Sequence, residues 1–265
     1  MSIKLAISGA RGKMGTRIAF FAFQDPDIEV VSALEDSGHP DIGKDLGELV
    51  VGEEKGVIIE EDPYKAIEKA DVLVEFSTPD ATLQHLDIAV KLRKKAVVGT
   101  TGLDTDMEKI KKMAENTAIL VSPNMSIGVN VLLKVLPDLV RFLGEDYDIE
   151  IIELHHKRKK DAPSGTALRL AQAIKQVRTE LKEIYGRRGV TGPRREEELG
   201  IHALRLGDVV GEHRVIFAGN EERIELIHTA GSRDIFARGA LRAVKYIRDK
   251  KRGFYTMDNV LEAGI

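Results

Sequence analysis

The chain contains no cysteine, which excludes disulfides, thiolate nucleophiles and thiolate-bound metals together. It also lacks any run approaching the ~18 uninterrupted apolar residues of a membrane span. Its first residues, MSIKLAISGA, carry no long apolar segment of a secretory signal and lead straight into a glycine motif. A cytoplasmic protein with no membrane partner is the expectation. An excess of one charge is missing too: Lys and Arg number 40 against 43 Asp and Glu, for a net charge of −3. Such a balance offers no global attraction to nucleic acid or to an anionic membrane, so neither partner is expected. Asn and Gln are scarce, at five and four. With charged residues at 31%, above the roughly 25% of average proteins, the composition leans towards a heat-adapted source, where ion-pair networks gain relative value and amides degrade.

What is present is a chain of 265 residues, long enough for one large domain or two modest ones. Short apolar runs alternate with helix-length segments through the first half. The strand-like runs are IKLAIS from Ile3, IEVVSAL from Ile28, GVIIE from Gly56, DVLVEFS from Asp71, AVVGT from Ala96 and AILVS from Ala118. The segment from Pro79 reads as a helix: proline suits its first position, and Leu83, Leu86 and Val90 recur at helical spacing. Continuous Val/Ile/Leu strands separated by helices predict an α/β fold with a parallel sheet covered on both faces. After Asn124 the pattern changes. A long apolar helix with Ser126 as its N-cap precedes the strand DIEIIELHH, and a helix begins near Pro163. IHALRLG, EHRVIFAG and ERIELIHTA then alternate polar and apolar residues as half-buried strands do. Thr179 to Gly200 reads as a long polar mobile loop, and a last helix spans about Asp234 to Lys250. Two domains follow: residues 1–126, completed by 235–265, and residues 127–234.

The run IKLAIS leads into GARGKMG, with glycines at 9, 12 and 15. A strand-to-helix turn without Cβ atoms lets backbone N–H groups approach a pyrophosphate at the helix N-terminus. Glu35 closes the second strand about 20 residues later, where a carboxylate accepts hydrogen bonds from an adenine-ribose diol. Glu35 and Asp36 disfavour a 2′-phosphate, whereas Arg11 and Lys13 partly neutralise one. Both NADH and NADPH are therefore expected to serve. GTTG from Gly99 and SPNM from Ser122 follow parallel strands, where open α/β sheets bind ligands; each, taken alone, also fits an ordinary loop.

ELHHKRKKDAPSGTA, from Glu153 to Ala167, carries the most chemistry. A strand delivers two histidines into a cationic cluster, and PSGTALRLAQAI then begins a helix. Backbone N–H groups at Ser164, Gly165 and Thr166 read as free donors for a carboxylate at the positive helix end. Lys159 adds charge. These residue types predict an anionic substrate with a histidine nearby for proton transfer. Adjacent strand histidines point to opposite faces, so His155 and His156 do not share a metal, and no metal site is expected. One buried and one exposed histidine without a chemical role is the competing reading. The KRKK run, short and free of interleaved aromatics, reads as a solvated cationic rim.

Along essentially its whole length the chain resembles the 4-hydroxy-tetrahydrodipicolinate reductase family. The motifs that carry the resemblance are GARGKMG, EFSTPDATLQHL, VVGTTG, SPNMSIGVN, EIIELHHKRKKDAPSGTA and LRLGDVVGEH; the histidine-lysine-PSGT segment is the specific one. The resemblance implies a Rossmann-type dinucleotide-binding domain, hinged to a smaller α+β domain whose mixed open sheet binds substrate and builds a homotetramer on the strands after Ile201. It implies His155 as catalytic acid/base, Lys159 as proton donor, His156 in contact with substrate, and Ser164, Gly165 and Thr166 around a carboxylate. On the cofactor side it implies Gly9, Ala10, Arg11, Gly12, Lys13, Met14, Glu35, Gly99, Thr100, Thr101, Ser122, Pro123, Asn124 and Met125. Two departures stand out. SPNM stands where the family more usually has Ala and Phe at its first and last positions, and Asp36 replaces an Arg seen in some members. The implied reaction, in lysine biosynthesis through diaminopimelate, reduces a cyclic dicarboxylate by hydride from NADH or NADPH with loss of water. Another NAD(P)-dependent oxidoreductase of a carboxylate substrate, or a non-enzymatic dinucleotide sensor, is the alternative.

Overall fold

The computed structural model describes residues 2–264. The chain divides into two compact units: one formed by the chain up to Ile127 together with the segment from Asp234 onward, the other by Gly128–Arg233. No described helix is long and apolar enough to cross a membrane.

The first unit contains β1 (Ile3–Ser8), α1 (Lys13–Ala22), β2 (Ile28–Leu34), α2 (Leu46–Val51), β3 (Ile59–Glu60), α3 (Pro63–Glu68), β4 (Val72–Glu75), α4 (Pro79–Lys91), β5 (Lys95–Val98), α5 (Met107–Ala114) and β6 (Ala118–Val121). After α6 (Ile127–Leu143) and the second unit, the chain returns as α8 (Asp234–Ile247), β12 (Gly253–Tyr255) and α9 (Met257–Glu262). The seven-stranded sheet has the order β12-β6-β5-β4-β1-β2-β3, and every pairing in it is parallel. From β1 the chain first winds to β2 and β3, then crosses to β4 on the other side. That reversal leaves a crevice beyond the C-terminal ends of β1 and β4, the switch point at which open α/β sheets take ligands. Strand periodicity sorts the core onto the two faces: Ile3, Leu5 and Ile7 of β1 join one cluster, with Val72 and Val74 of β4. Ala6 and Leu73 join the other.

Local chemistry explains the helix starts. Thr78 caps α4 and Pro79 occupies its first turn. One expectation needs correction here. The GVIIE run yields a strand of only Ile59–Glu60, because the Asp45 carboxylate binds the N–H of Val57 at 2.8 Å and of Lys55 at 3.1 Å. Those bonds tie the run's start to the α2 cap instead of a sheet ladder. The returning tail contributes a strand of its own, since β12 extends the sheet beside β6.

The second unit contains β7 (Asp148–His155), α7 (Gly165–Lys175), β8 (Lys182–Ile184), β9 (Glu198–Arg205), β10 (Gly211–Ala218) and β11 (Arg223–Ala230). Its five strands run β11-β10-β7-β9-β8; β10 is antiparallel to β7 and β11, while β7, β9 and β8 are parallel, so the sheet is mixed. Ile149, Ile151, Leu199, Ile201, Val215 and Phe217 bury one face, together with Leu170 and Ile174 of α7 and Leu136 and Val140 of α6. β8 lies inside Thr179–Gly200, which is therefore not the uninterrupted loop expected. Its polar residues are stitched to the sheet. Arg187 pairs with Glu150 at 2.9 Å and Glu198 at 2.8 Å, and Arg194 pairs with Asp148 at 2.5 Å. Partners distant in sequence make this edge look like solvated loop when its residues are read locally.

Candidate active site

In the first unit, β1 ends at Ser8 and the chain turns through Gly9, whose φ is +68°. A Cβ at Gly9 would lie 2.4 Å from the Phe76 carbonyl oxygen, and one at Gly15 would lie 2.0 Å from the Gly9 carbonyl oxygen. Both positions require glycine, since neither backbone can move away cheaply. Gly12 caps α1 without any side-chain hydrogen bond, leaving the helix's first turn uncapped by a side chain. Glu35, just past β2, accepts the Arg11 N–H at 2.7 Å, which sets its carboxylate over the turn. The Arg11 guanidinium bonds Asp41 at 2.8 Å. Lys44 and Arg11 together hold the Asp41 carboxyl at about 2, well below its ordinary value. Arg11 therefore already has an anionic partner, whereas Lys13 is exposed at the start of α1.

The neighbouring strand ends are built by close contacts. A Cβ at Gly99 would sit 2.1 Å from the Phe76 ring, so the aromatic lies directly on that backbone. Thr100 is buried and accepts the Thr82 hydroxyl at 2.9 Å; the Ser122 hydroxyl donates to the Asn124 carbonyl at 2.7 Å. Asn124 Oδ1 accepts the Ser126 N–H at 2.9 Å, and Met125 is buried. Thr101 and Pro123 are exposed, while Ala10 is buried and Met14 half-buried. Sequence reasoning missed Phe76 and a buried cluster beneath it, in which Glu75 Oε2 lies 2.7 Å from His85 Nδ1 and Glu75 Oε1 accepts the Ser77 N–H at 3.0 Å.

In the second unit the apolar face of the mixed sheet becomes polar at one end. Along β7 the inward residues are Ile149, Ile151 and Glu153, paired on β10 with Phe217, Val215 and His213. On β9, Arg205 lies level with His155. Glu153 is wholly buried. Its carboxylate accepts two hydrogen bonds from Arg205, at 2.8 and 2.7 Å, and lies 2.5 Å from His155 Nδ1. Burial by itself would raise the Glu153 carboxyl, but the bonds from Arg205 and His155 outweigh it and hold it below the ordinary range. Burial lowers the His155 imidazole below its usual value, against the opposing pull of Glu153. The His213 ring stands edge-on at 5.2 Å from that of His155. Burial first, and the charge on His155 second, bring His213 down to about 4.

The turn into α7 joins this group. Ser164 caps the helix by accepting the Ala167 N–H at 3.2 Å, and its hydroxyl lies 3.1 Å from His213 Nε2. Its N–H donates to Glu153 at 3.0 Å, which corrects the expectation of a free donor at Ser164: the buried carboxylate takes it. Gly165 is exposed with nothing within 4 Å of a Cβ position, and Thr166 follows it in the first turn. Lys159 is half-buried and pairs with Asp161 at 2.9 Å, and its charge is felt at His155. His156 keeps a buried Nδ1 without a hydrogen-bond partner among the described residues. Glu153, Arg205 and His213 went unassigned in the sequence, although signals were present. Glu153 shares a strand face with His155 two residues on, and both other residues fall within LRLGDVVGEH. No cluster of metal-binding side chains occurs among the described residues.

A parallel sheet with a glycine turn at its switch point, and a second unit bearing a histidine-carboxylate network at a helix N-terminus, define a nicotinamide-dependent oxidoreductase of a small molecule. The chain belongs to the dihydrodipicolinate reductase family. Residues 3–125 match the model of its N-terminal part and residues 128–261 that of its C-terminal part. The chain is 48% identical to the 4-hydroxy-tetrahydrodipicolinate reductase of Methanocaldococcus jannaschii, over 98% of this chain and 97% of that protein. It is 44% identical to the reductase of the same name from Syntrophus aciditrophicus, over 98% of both. Among solved structures, a dipicolinate-bound dihydrodipicolinate reductase from Paenisporosarcina sp. TG-14 superposes with a TM-score of 0.78 at 27% identity, covering 97% of this chain and 98% of that one. An amine dehydrogenase from Mycobacterium smegmatis, at 12% identity and a TM-score of 0.68 over 98% and 96%, shares the fold alone. The family's N-terminal part is a dinucleotide-binding domain and the enzyme uses NAD(P)H.

Proposed function

We propose that this oxidoreductase converts 4-hydroxy-tetrahydrodipicolinate to tetrahydrodipicolinate, with loss of water, in cytoplasmic lysine biosynthesis through diaminopimelate. One observation carries the reading: His155 and the Ser164 turn hang on the same buried carboxylate, which places an acid beside a helix N-terminus suited to a carboxylate. Membership of the family and the dipicolinate-bound relative point to the same substrate class. In this reading Gly165 and Thr166 hold one substrate carboxylate, with Ser164 shaping the turn. His156, whose buried Nδ1 has no described protein partner, contacts the ring or its second carboxylate.

The cofactor fits the first unit, where a Cβ at Gly9 or Gly15 would fill the turn. Gly9 to Met14 then face its pyrophosphate, Glu35 its adenine ribose, and the segments Gly99–Thr101 and Ser122–Met125 its nicotinamide end. When bound, the dihydronicotinamide supplies hydride. The protein's own part is the proton. Hydride addition to the dehydrated, conjugated imine leaves an electron-rich enamine, and a proton from His155 or Lys159 converts it to the product imine. Burial lowers the His155 imidazole below its ordinary value, which favours its neutral form before substrate binds. A dicarboxylate brings negative charge beside it and favours the imidazolium, so the acid is charged as substrate binds.

Both NADH and NADPH serve, since Glu35 favours a free ribose diol and Lys13 favours a 2′-phosphate. The chain assembles as a homotetramer through the mixed sheet, on which Leu204 is 41% and Ile227 50% exposed. Following NAD(P)H oxidation with substrate made fresh by the upstream synthase tests the function directly. Robust turnover that His155→Ala lowers by about 10²-fold or more is expected, and no oxidation with either cofactor sinks the assignment.

A further inference from the structure

The buried carboxylate at Glu153 has a coordination that goes beyond support of the fold. A carboxylate offers about four lone-pair sites, and all are engaged. Oε1 accepts Arg205 Nη2 at 2.7 Å and the Ser164 N–H at 3.0 Å; Oε2 accepts Arg205 Nη1 at 2.8 Å and faces His155 Nδ1 at 2.5 Å. An ionised carboxylate has no proton to give, which leaves one role for Nδ1, that of donor. The proton of neutral His155 therefore resides on Nδ1, and Nε2 carries the lone pair that is protonated and then donates. Gly211, at the start of β10, keeps that nitrogen uncovered: a Cβ there would lie 3.1 Å from Nε2. The ladder explains why these residues meet, since β7 is flanked by β10, with His213 level with Glu153, and by β9, with Arg205 level with His155.

We propose that Glu153, clamped by Arg205, is a positioning residue that sets His155 as the Nδ1–H tautomer and also seats the Ser164 turn that presents Gly165 and Thr166 to a substrate carboxylate. Proton transfer and anion binding are thus coupled through one side chain that touches neither substrate nor cofactor. This rests on the reading of His155 as the acid given above. Arg205 has a distinct part: its guanidinium is the counter-charge that keeps the wholly buried Glu153 ionised. The groups facing His155 are Glu153 on its own strand, Arg205 on β9, His213 on β10 and Lys159 on the following loop. Removing the carboxylate withdraws the one negative charge among them and lowers the imidazole pKa further.

Glu153→Gln tests the proposal in the intact enzyme. It is expected to lower kcat/KM by about 10²-fold, the scale of general acid catalysis, to raise KM for the substrate, and to leave NADH affinity unchanged. The alkaline limb of the kcat/KM profile moves to lower pH, a shift that a merely structural defect does not produce; Glu153→Asp, which keeps the charge, restores part of it. Loss of activity in Glu153→Gln without that shift overturns the proposal. Imidazole 15N shifts of the wild-type enzyme above pH 7 provide a second measurement should the variant fail to fold. The Nδ1–H tautomer at His155 is expected, and the Nε2–H tautomer overturns the idea. A His155→Ala enzyme with normal turnover removes the acid assignment and this proposal together, whereas an inactive His155→Ala with an unshifted Glu153→Gln profile removes this proposal alone.

Discussion

The glycine turn of the first unit and the histidine network of the second are built on opposite principles. In the first unit the build of the site comes from side chains that are missing: Gly9 and Gly15 of the turn, and Gly99 after β5, sit where a Cβ would meet backbone or ring at 2.0 to 2.4 Å. In the network it comes from charged side chains packed where charge is costly, with Glu153 wholly buried against Arg205 and His155. A backbone cradle depends on local residues and tolerates almost any chemistry around it. A buried ionic network requires every partner, because removing one leaves an uncompensated charge or donor. The two sites should therefore fail differently under mutation, the first by distortion of the backbone that would hold cofactor and the second by loss of proton transfer with cofactor still bound.

The largest effect is expected at the acid. His155→Ala and Lys159→Ala each lower kcat by about 10²-fold or more, while the NADH dissociation constant measured by fluorescence stays near wild type. Near-normal turnover in both would erase the contrast. pH profiles sharpen it: with the His155 pKa pushed below its ordinary 6.5 by burial, kcat/KM of the free enzyme falls as pH rises through that lowered value. Charge from bound substrate raises the pKa, so the limb in kcat lies at higher pH. Coincident limbs would show that substrate does not charge the imidazole.

Next in size is Gly15→Ala, which places a methyl 2.0 Å from the Gly9 carbonyl oxygen. Overpacking of that kind costs about 1–3 kcal/mol, or roughly 10- to 100-fold in cofactor affinity. Calorimetric titration showing unchanged binding would mean that the cofactor does not use this turn. Pyridine-2,6-dicarboxylate is expected to compete with substrate, and Thr166→Val to weaken it about tenfold through one lost hydrogen bond to a charged group. Absence of inhibition at millimolar concentration counts against the dicarboxylate site. The smallest effect concerns cofactor choice. Exposed charges contribute about 1 kcal/mol or less, so kcat/KM for NADH and NADPH should agree within about tenfold. Lys13→Ala should penalise NADPH more than NADH, and Glu35→Ala the reverse. A ratio unmoved by either variant would relocate the ribose end of the cofactor.

Legibility in the sequence follows the range of the interactions. IKLAIS, IEVVSAL and the helix from Pro79 were readable because periodicity, capping and proline placement act within one segment. GVIIE misleads because Asp45, well upstream, captures the Val57 N–H and that of Lys55 just before the run. The edge strand β8 hides in a polar stretch whose Arg187 and Arg194, beyond the strand itself, are paired with Glu150 and Asp148 of β7. Ser164 was readable as a helix start, yet its N–H is engaged by Glu153 from another element.

By itself the sequence determined the parallel α/β organisation, the glycine turn with Glu35 beside it, and the histidine-lysine segment leading into a helix. Each depends on local stereochemistry or on residues near one another along the chain. Only the tertiary structure decided which groups surround His155. Strand order and register bring Arg205 and His213 to Glu153 across separations of 52 and 60 positions in the numbering. No local rule specifies such pairings, since they arise when the apolar faces of β7, β9 and β10 close over one core and carry the polar ends of those strands together.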